Sequence, residues 1–302
     1  MIYLKKILKQ LSNKISLGTA KLGIDNYGFS SNYLPRDKIS FLENASRIGI
    51  HSFDTSPRYG DSEKIIGSFL ENINERPLIS SKIDGLKEND HHSSRIMVES
   101  VKRSIDRMNI VKLDICYLHQ NDLHIISDPY IHEGLLMLKE MDLIEHCGTS
   151  IYSYEELDYT VSSAFYDFIQ VPVNILDTSY YHRIIDYKSE IKIAARSIFL
   201  QGILFHNESI ANKIKCSQPL LQSLQQLETL CCSFGVELST ACIAYIHSLE
   251  NIEQVIIGSA SLDNLKANID STNYDLDKNL TKMIGDLASS SKPWTNPRNW
   301  AL

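Results

Sequence analysis

Short apolar runs and longer amphipathic stretches alternate along this chain from end to end, and that alternation limits the fold more than anything else in the sequence. Strands are expected near 15–19, 50–54, 78–83, 113–118, 145–149, 167–171, 192–196 and 254–258. Helical spacing of apolar residues fills 38–49, 62–72, 93–109, 129–141, 154–163, 178–189 and 219–233, and returns at 238–249, 261–270 and 276–288. A strand can pair in parallel with its successor only through a long crossover, and each helical stretch supplies one. Eight strand–helix units in succession predict an α/β protein whose parallel sheet closes on itself, a (β/α)8 TIM barrel. Asp37, Ser93, Asp128 and Ser153 stand where helix N-caps belong.

The 302 residues suit one barrel domain, with 1–13 as an N-terminal cover and 289–302 as a C-terminal tail. No low-complexity linker or shift in composition divides them. The tail, SSSKPWTNPRNWAL, carries both tryptophans of the chain, which favours docking onto the body. Net charge is −7 with no dense basic stretch, which argues against nucleic-acid binding. KRSIDR reads as the solvated face of a helix. MIYLKKILKQLSNK has no long apolar run and no small-residue cleavage site, so no secretory signal is expected. Leu4, Leu8 and Leu11 have helical spacing and read as packing on the end of the barrel. No run approaches the roughly 18 apolar residues of a membrane span. The cysteines at 116, 147, 216, 231, 232 and 242 contain no CxxC and read as reduced thiols of a cytoplasmic protein.

In a βα barrel, function collects at the C-terminal ends of the strands. Asp54, Lys82 and His119 fall at or just past three such ends, and Tyr59 follows Asp54 by five residues. Taken singly, each has an ordinary reading: a loop-fixing carboxylate, a packing aromatic, a paired lysine, a core histidine. Together they form one chemical unit. A phenol donates a proton usefully only if its pKa, near 10 when free, is brought down. A neighbouring ammonium does this by favouring phenolate, and a carboxylate keeps the ammonium charged and oriented. A histidine can polarise a carbonyl oxygen. The chemistry indicated is hydride transfer to an aldehyde or ketone, with protonation of the resulting alkoxide.

The segment FDTSPRYGDSEKIIG resembles the aldo-keto reductase signature, in which an Asp, a Tyr-Gly and a Ser-Glu follow the second strand. The resemblance continues in order through SLGTAKLG, SSKI, YLHQND, HCGTSIYS, FIQVPVNILD, ARSIFLQGIL and VIIGSASLDNLKANI, nearly the whole chain. It implies a reductase of small-molecule carbonyl compounds that uses NADP, with NAD as the other candidate. It also implies a set of cofactor contacts. Asp54 belongs to them as well as to the catalytic group. Ser150 and Gln170 match the positions that hold the nicotinamide carboxamide. Arg196 stands where the family usually has an aromatic residue stacked on the nicotinamide, and Ile151 where it usually has Asn. A guanidinium can also stack, but its charge would disfavour the oxidised ring. Ser197, Leu200, Gln201 and Gly202 match the loop near the pyrophosphate. Gly258, Ser259, Ser261, Asn264 and Asn268 match the adenosine-phosphate end, at a helix N-terminus.

No GxGxxG supports a Rossmann site, and no GxSxG a nucleophile elbow. No metal is expected: His91-His92 reads as a solvated loop pair, HEGLL lacks the second histidine of HExxH, and His119 and His124 share only a loop. A metal-dependent isomerase therefore lacks a ligand cluster. A low-turnover nicotinamide-binding regulatory barrel is the remaining alternative, motivated by Arg196 and Ile151. Specificity is expected from Asn26, Tyr27, Arg58, Asp84, Asn121, Asp122 and the tail. Their polarity points to a hydroxylated substrate such as a sugar or sugar derivative. The sequence carries no signal for the oligomeric state.

Overall fold

A computed structural model describes residues 14–24, 35–120, 122–205, 217–289 and 292. The strands are β1 (Ile15–Gly18), β2 (Ser52–Asp54), β3 (Leu78–Ile83), β4 (Leu113–Leu118), β5 (Ile144–Ser150), β6 (Phe168–Pro172), β7 (Lys192–Arg196) and β8 (Ile252–Ile257). Each pairs in parallel with the next, and β8 returns to β1, closing the barrel. The helices are α1 (Ala20–Gly23), α2 (Lys38–Arg47), α3 (Ser62–Leu70), α4 (Ser93–Met108), α5 (Leu123–Ile126), α6 (Pro129–Glu140), α7 (Tyr154–Ser162), α8 (Ser179–Asp186), α9 (Ser217–Ser233), α10 (Leu238–Ser248), α11 (Leu262–Ser271) and α12 (Lys278–Ala288). The expected barrel is thus observed. The additions are α1, α5 and a 3₁₀ segment over Leu200–Phe205, all too short to show a period in the sequence.

The pleat decides which residues meet inside. Side chains alternate between the lumen and the helix layer. Ile15, Leu17, Phe53, Ile79, Cys116, Cys147, Ile169, Ile193, Val255 and Ile257 join the large core beneath the helices. The opposite parity fills the lumen with a smaller cluster of Leu78, Ile115, Tyr117, Phe168, Ala194 and Ile256. Three polar lumen groups bond one another. Ser52 Oγ donates to Ser16 Oγ at 2.9 Å, and Gln254 Nε2 donates to Ser52 Oγ at 3.1 Å. Tyr117 needs the glycine opposite it: a Cβ on Gly148 would lie 2.8 Å from the Tyr117 ring and 2.6 Å from the Phe168 carbonyl oxygen.

Local chemistry sets the helix starts. Asp37 accepts from the amides of Ile39 and Ser40, Asp128 from that of Tyr130, and Ser153 forms a reciprocal capping box with Glu156. Ser93 departs from expectation. His92 holds the cap position, and Ser93 is the first helical residue, its buried hydroxyl turned to the Lys87 carbonyl at 3.5 Å. Buried Glu63 ties α3 to its surroundings, accepting Ser81 Oγ at 2.7 Å and Arg107 Nε at 2.6 Å. Cys116, Cys147, Cys231, Cys232 and Cys242 are free thiols. Among the described residues no single helix is long and apolar enough to cross a membrane. The N-terminal cover, Cys216 and nearly all of the tail lie outside the described residues, apart from Ser289 and Lys292. Lys292 Nζ donates to the carbonyls of Leu176 and Leu287, both at 2.7 Å.

Candidate active site

Following lumen parity to the C-terminal end of each strand gives Gly18, Asp54, Lys82, His119, Ser150, Gln170, Arg196 and Gly258. All eight line one cavity of about 710 Å³ at the barrel mouth. Tyr59, on the turn between β2 and α3, lines it too. Two glycines hold that turn against α1. A Cβ on Gly23 would sit 1.6 Å from the Tyr59 carbonyl oxygen, and one on Gly60 would sit 2.2 Å from the Gly23 carbonyl. Gly60 also has φ +54°, where any side chain is strained. The Tyr-Gly pair of the sequence is therefore a packing requirement that places the phenol.

The floor is a buried ion pair. Lys82 Nζ donates to Asp54 Oδ1 at 2.9 Å, to Asp54 Oδ2 at 2.7 Å and to the Thr55 carbonyl at 2.9 Å. An ammonium has three protons, so its donors are fully used. Asp54 Oδ1 also accepts from Gln170 Nε2 at 2.9 Å, and Gln170 Oε1 accepts from Ser150 Oγ at 3.0 Å. Behind the pair, buried hydroxyls form a chain: Ser62 Oγ lies 2.9 Å from Thr55 Oγ1 and donates to Thr19 Oγ1 at 2.6 Å. Thr19 Oγ1 then donates to the Asp54 carbonyl at 3.0 Å.

Tyr59 and His119 meet above this floor, ring centroids 6.0 Å apart and edge-on at 86°. Lys82 Nζ lies 5.2 Å from the Tyr59 ring centre. The phenol pKa nevertheless stands above its ordinary value. Burial is the main cause, followed by the Asp54 charge and Tyr152, with Arg196 opposing. This differs from the expectation that Lys82 draws it down. Burial favours the neutral phenol, and the charge of the Asp54 carboxylate, which holds Lys82 at hydrogen-bond distance, adds to that effect. The His119 pKa is pushed down to about 4, first by burial, then by Lys82, with Arg58 adding to it and Asp84 and Asp54 opposing. His119 is therefore neutral at pH 7.

The positions matched to cofactor contacts divide. Ser150, Gln170, Arg196, Ser197, Gln201, Gly202, Gly258, Ser259, Asn264 and Asn268 line the cavity. Leu200 is fully buried beneath it. Ser261 is engaged as a helix cap, accepting from the Asn264 amide at 3.3 Å, while Ser259 Oγ accepts the Ser261 amide at 3.1 Å. Arg196 is already stacked, its guanidinium carbon 3.9 Å from the Tyr152 ring centre, and it donates to the Ile151 carbonyl at 2.7 Å. The two departures at 151 and 196 thus support each other: Ile151 packs its side chain in the core and gives Arg196 a backbone acceptor. Arg196 Nε is buried without a partner among the described residues.

Of the residues expected to set specificity, Arg58 and Asp84 pair with each other, and Asp122 is exposed. Asn26, Tyr27 and Asn121 lie outside the described residues. The sequence reading missed Lys21, Tyr152, Phe199, Phe205 and Ser239 on the cavity wall. Only Tyr152, two residues past Ser150 and so of the same parity, carried a usable signal. His91 and His92 are exposed, and with Asp90 they form a surface group of ligand atoms within 4.8 Å of one another.

Removing one member of a buried pair strands the other. In Lys82→Met, the Asp54 carboxylate keeps only Gln170 as a side-chain donor, at a cost of about 3–5 kcal/mol at neutral pH. Asp54→Asn combined with Lys82→Met removes both charges and recovers most of that loss. Urea midpoints of the single and double variants measure it, and a double variant as unstable as the sum of the singles contradicts the pairing.

The model of the aldo/keto reductase family matches residues 14–288. D-arabinose 1-dehydrogenase of Saccharomyces cerevisiae is 27% identical over 252 residues, 76% of this chain and 74% of that protein. L-galactose dehydrogenase of Arabidopsis thaliana is 24% identical over 285 residues, 84% and 86% of the two chains. Among solved structures, the glycerol dehydrogenase of Gluconobacter oxydans superposes with a TM-score of 0.70 at 20% identity, over 91% of this chain and 90% of that one, a likeness of fold. With a match spanning almost every element of the barrel, this chain belongs to the aldo/keto reductase family and is an NAD(P)H-dependent oxidoreductase.

Proposed function

We propose that this protein reduces the carbonyl group of a polyhydroxylated small molecule of the sugar class, with Tyr59 as proton donor and His119 as hydrogen-bond donor to the same oxygen. The observation that carries the reading is the convergence of these two rings, 6.0 Å apart, over the buried Asp54–Lys82 pair. Both groups are neutral donors, which is what an oxygen gaining negative charge requires. As the carbon–oxygen double bond is reduced, Tyr59 gives its phenolic proton to the oxygen, and an alcohol results. Lys82 and Asp54 act as positioning residues beneath the phenol. The sugar class rests on two relatives named for D-arabinose and L-galactose.

The residues present fit a nicotinamide cofactor, which when bound supplies the hydride. Gln170 has one N–H and one lone pair left after its bonds to Asp54 and Ser150, a match for a carboxamide. Nothing lies within 4 Å of a Cβ built on Gly258, so a ligand can approach that backbone closely. Ser197, Gln201 and Gly202, all at positive φ, shape the wall between these ends. Arg196 beside the ring would disfavour the positively charged oxidised form, so the reduced cofactor would bind more tightly than the oxidised one.

Among the described residues, the helix end of the cavity is lined by Gly258, Ser259, Asn264, Ala267 and Asn268, none of them cationic. Lys266 is exposed and does not line the cavity, and acidic Asp263 stands in the first turn of α11. From these residues a 2′-phosphate would gain the helix terminus but no bidentate cation. Both cofactors should bind, with NADP preferred by less than about a hundredfold, or about 2.7 kcal/mol. Fluorescence titration with both reduced cofactors measures this, and a much larger preference unaffected by substitutions from 258 to 268 contradicts the assignment.

The reaction itself is tested by cofactor oxidation with a panel of sugar aldehydes and ketones, followed across pH. His119 loses its neutral form only as pH falls through about 4. Tyr59 loses its proton only above the ordinary phenol value of about 10. Reductive kcat/KM should therefore be level from about pH 5.5 to about 9. An inflection near 6.5 would show that His119 titrates as a free imidazole.

A further inference from the structure

Ser56 lies on the loop after β2, two residues beyond Asp54, and is fully buried. Its Oγ stands 3.0 Å from His119 Nδ1 and accepts the Arg58 amide at 3.2 Å. A serine hydroxyl has one proton and two lone pairs. The Arg58 amide takes one lone pair. Among the described residues, His119 Nδ1 is the group at hydrogen-bond distance that could take the hydroxyl proton.

Two neutral tautomers of His119 then compete. With the proton on Nδ1, Ser56 Oγ would accept twice, and its own proton would sit buried with no acceptor. With the proton on Nε2, the Ser56 hydroxyl donates to Nδ1 and every group is satisfied. The cost of a buried unmatched donor corresponds to about a ten- to hundredfold bias toward the second arrangement. His119 lines the cavity with Nδ1 turned to Ser56, which leaves Nε2 as the ring nitrogen available to a ligand.

We propose that Ser56 is a positioning residue that fixes His119 as the Nε2–H tautomer, so that its cavity-facing nitrogen is committed to donating. Its importance for turnover rests on the reading of His119 as the group that binds the carbonyl oxygen. The opposite tautomer would present a lone pair to the lone pairs of that oxygen and weaken binding. The low His119 pKa adds that the ring stays neutral at pH 7, so the choice is between tautomers and not between charge states.

The test is ¹⁵N NMR of the full-length protein labelled at histidine, in which protonated and lone-pair ring nitrogens resonate far apart. Wild type is expected to show Nε2 protonated and Nδ1 bare. Ser56→Ala is expected to shift both resonances toward averaged values. It should also lower kcat/KM by about tenfold or more, mostly through KM, with reduced-cofactor binding within about twofold. Ser56→Thr, which keeps a hydroxyl, is expected to restore the wild-type spectrum. A wild-type spectrum with Nδ1 protonated overturns the proposal, as does an unchanged spectrum in Ser56→Ala. The tautomer is read without substrate, so it stands apart from the parent reading, which fails separately if His119→Phe leaves kcat/KM unchanged.

Discussion

In a closed eight-stranded barrel each strand alternates its side chains between the lumen and the helix layer, and the site depends on that alternation. The lower lumen is filled by Ser16, Ser52, Tyr117, Phe168 and Gln254, each buried. Residues one step further up cannot sink, so they stand as the floor and walls of a mouth. Strand ends as far apart in sequence as Gly18 and Gly258 are brought to one cavity this way. Gly148 serves the same constraint from below, since a side chain there would displace Tyr117.

The electrostatics of the mouth follow from burial, with a buried ion pair adding to it. Asp54 and Lys82 are 5% and 1% exposed, and such a pair persists only because each partner satisfies the other. Burial dominates the neighbours, joined by the Asp54 charge at Tyr59 and by the Lys82 charge at His119: the phenol keeps its proton and His119 stays neutral. A carbonyl oxygen entering the proposed site would meet two uncharged donors, set by packing before any substrate arrives. Preorganised donors of this kind need no reorientation as charge develops.

Much of this was legible in the sequence, and the parts that were not share a physical reason. Strand ends are readable because apolar runs stop where the lumen opens, so Asp54, Lys82, His119, Ser150 and Gln170 all appear at their places on the cavity wall. Tyr59 was readable with its glycine, although the reason for that glycine, the approach of Gly23, needs three dimensions. Ser56 was hidden because its partner is 63 residues away in sequence. The raised phenol pKa was hidden because it depends on how deeply the fold encloses Tyr59. Ser93 departs from its expected place by a one-residue shift of a helix start, a local detail the sequence does not carry.

Tyr59 is the proposed proton donor. Its most direct test compares single-turnover hydride transfer and reduced-cofactor affinity in wild type and Tyr59→Phe. In the proposed reaction the phenol supplies a proton and takes no part in holding the cofactor. Transfer should therefore slow by about two to four powers of ten, while cofactor affinity stays within about threefold. A transfer rate within a few-fold of wild type would contradict the account.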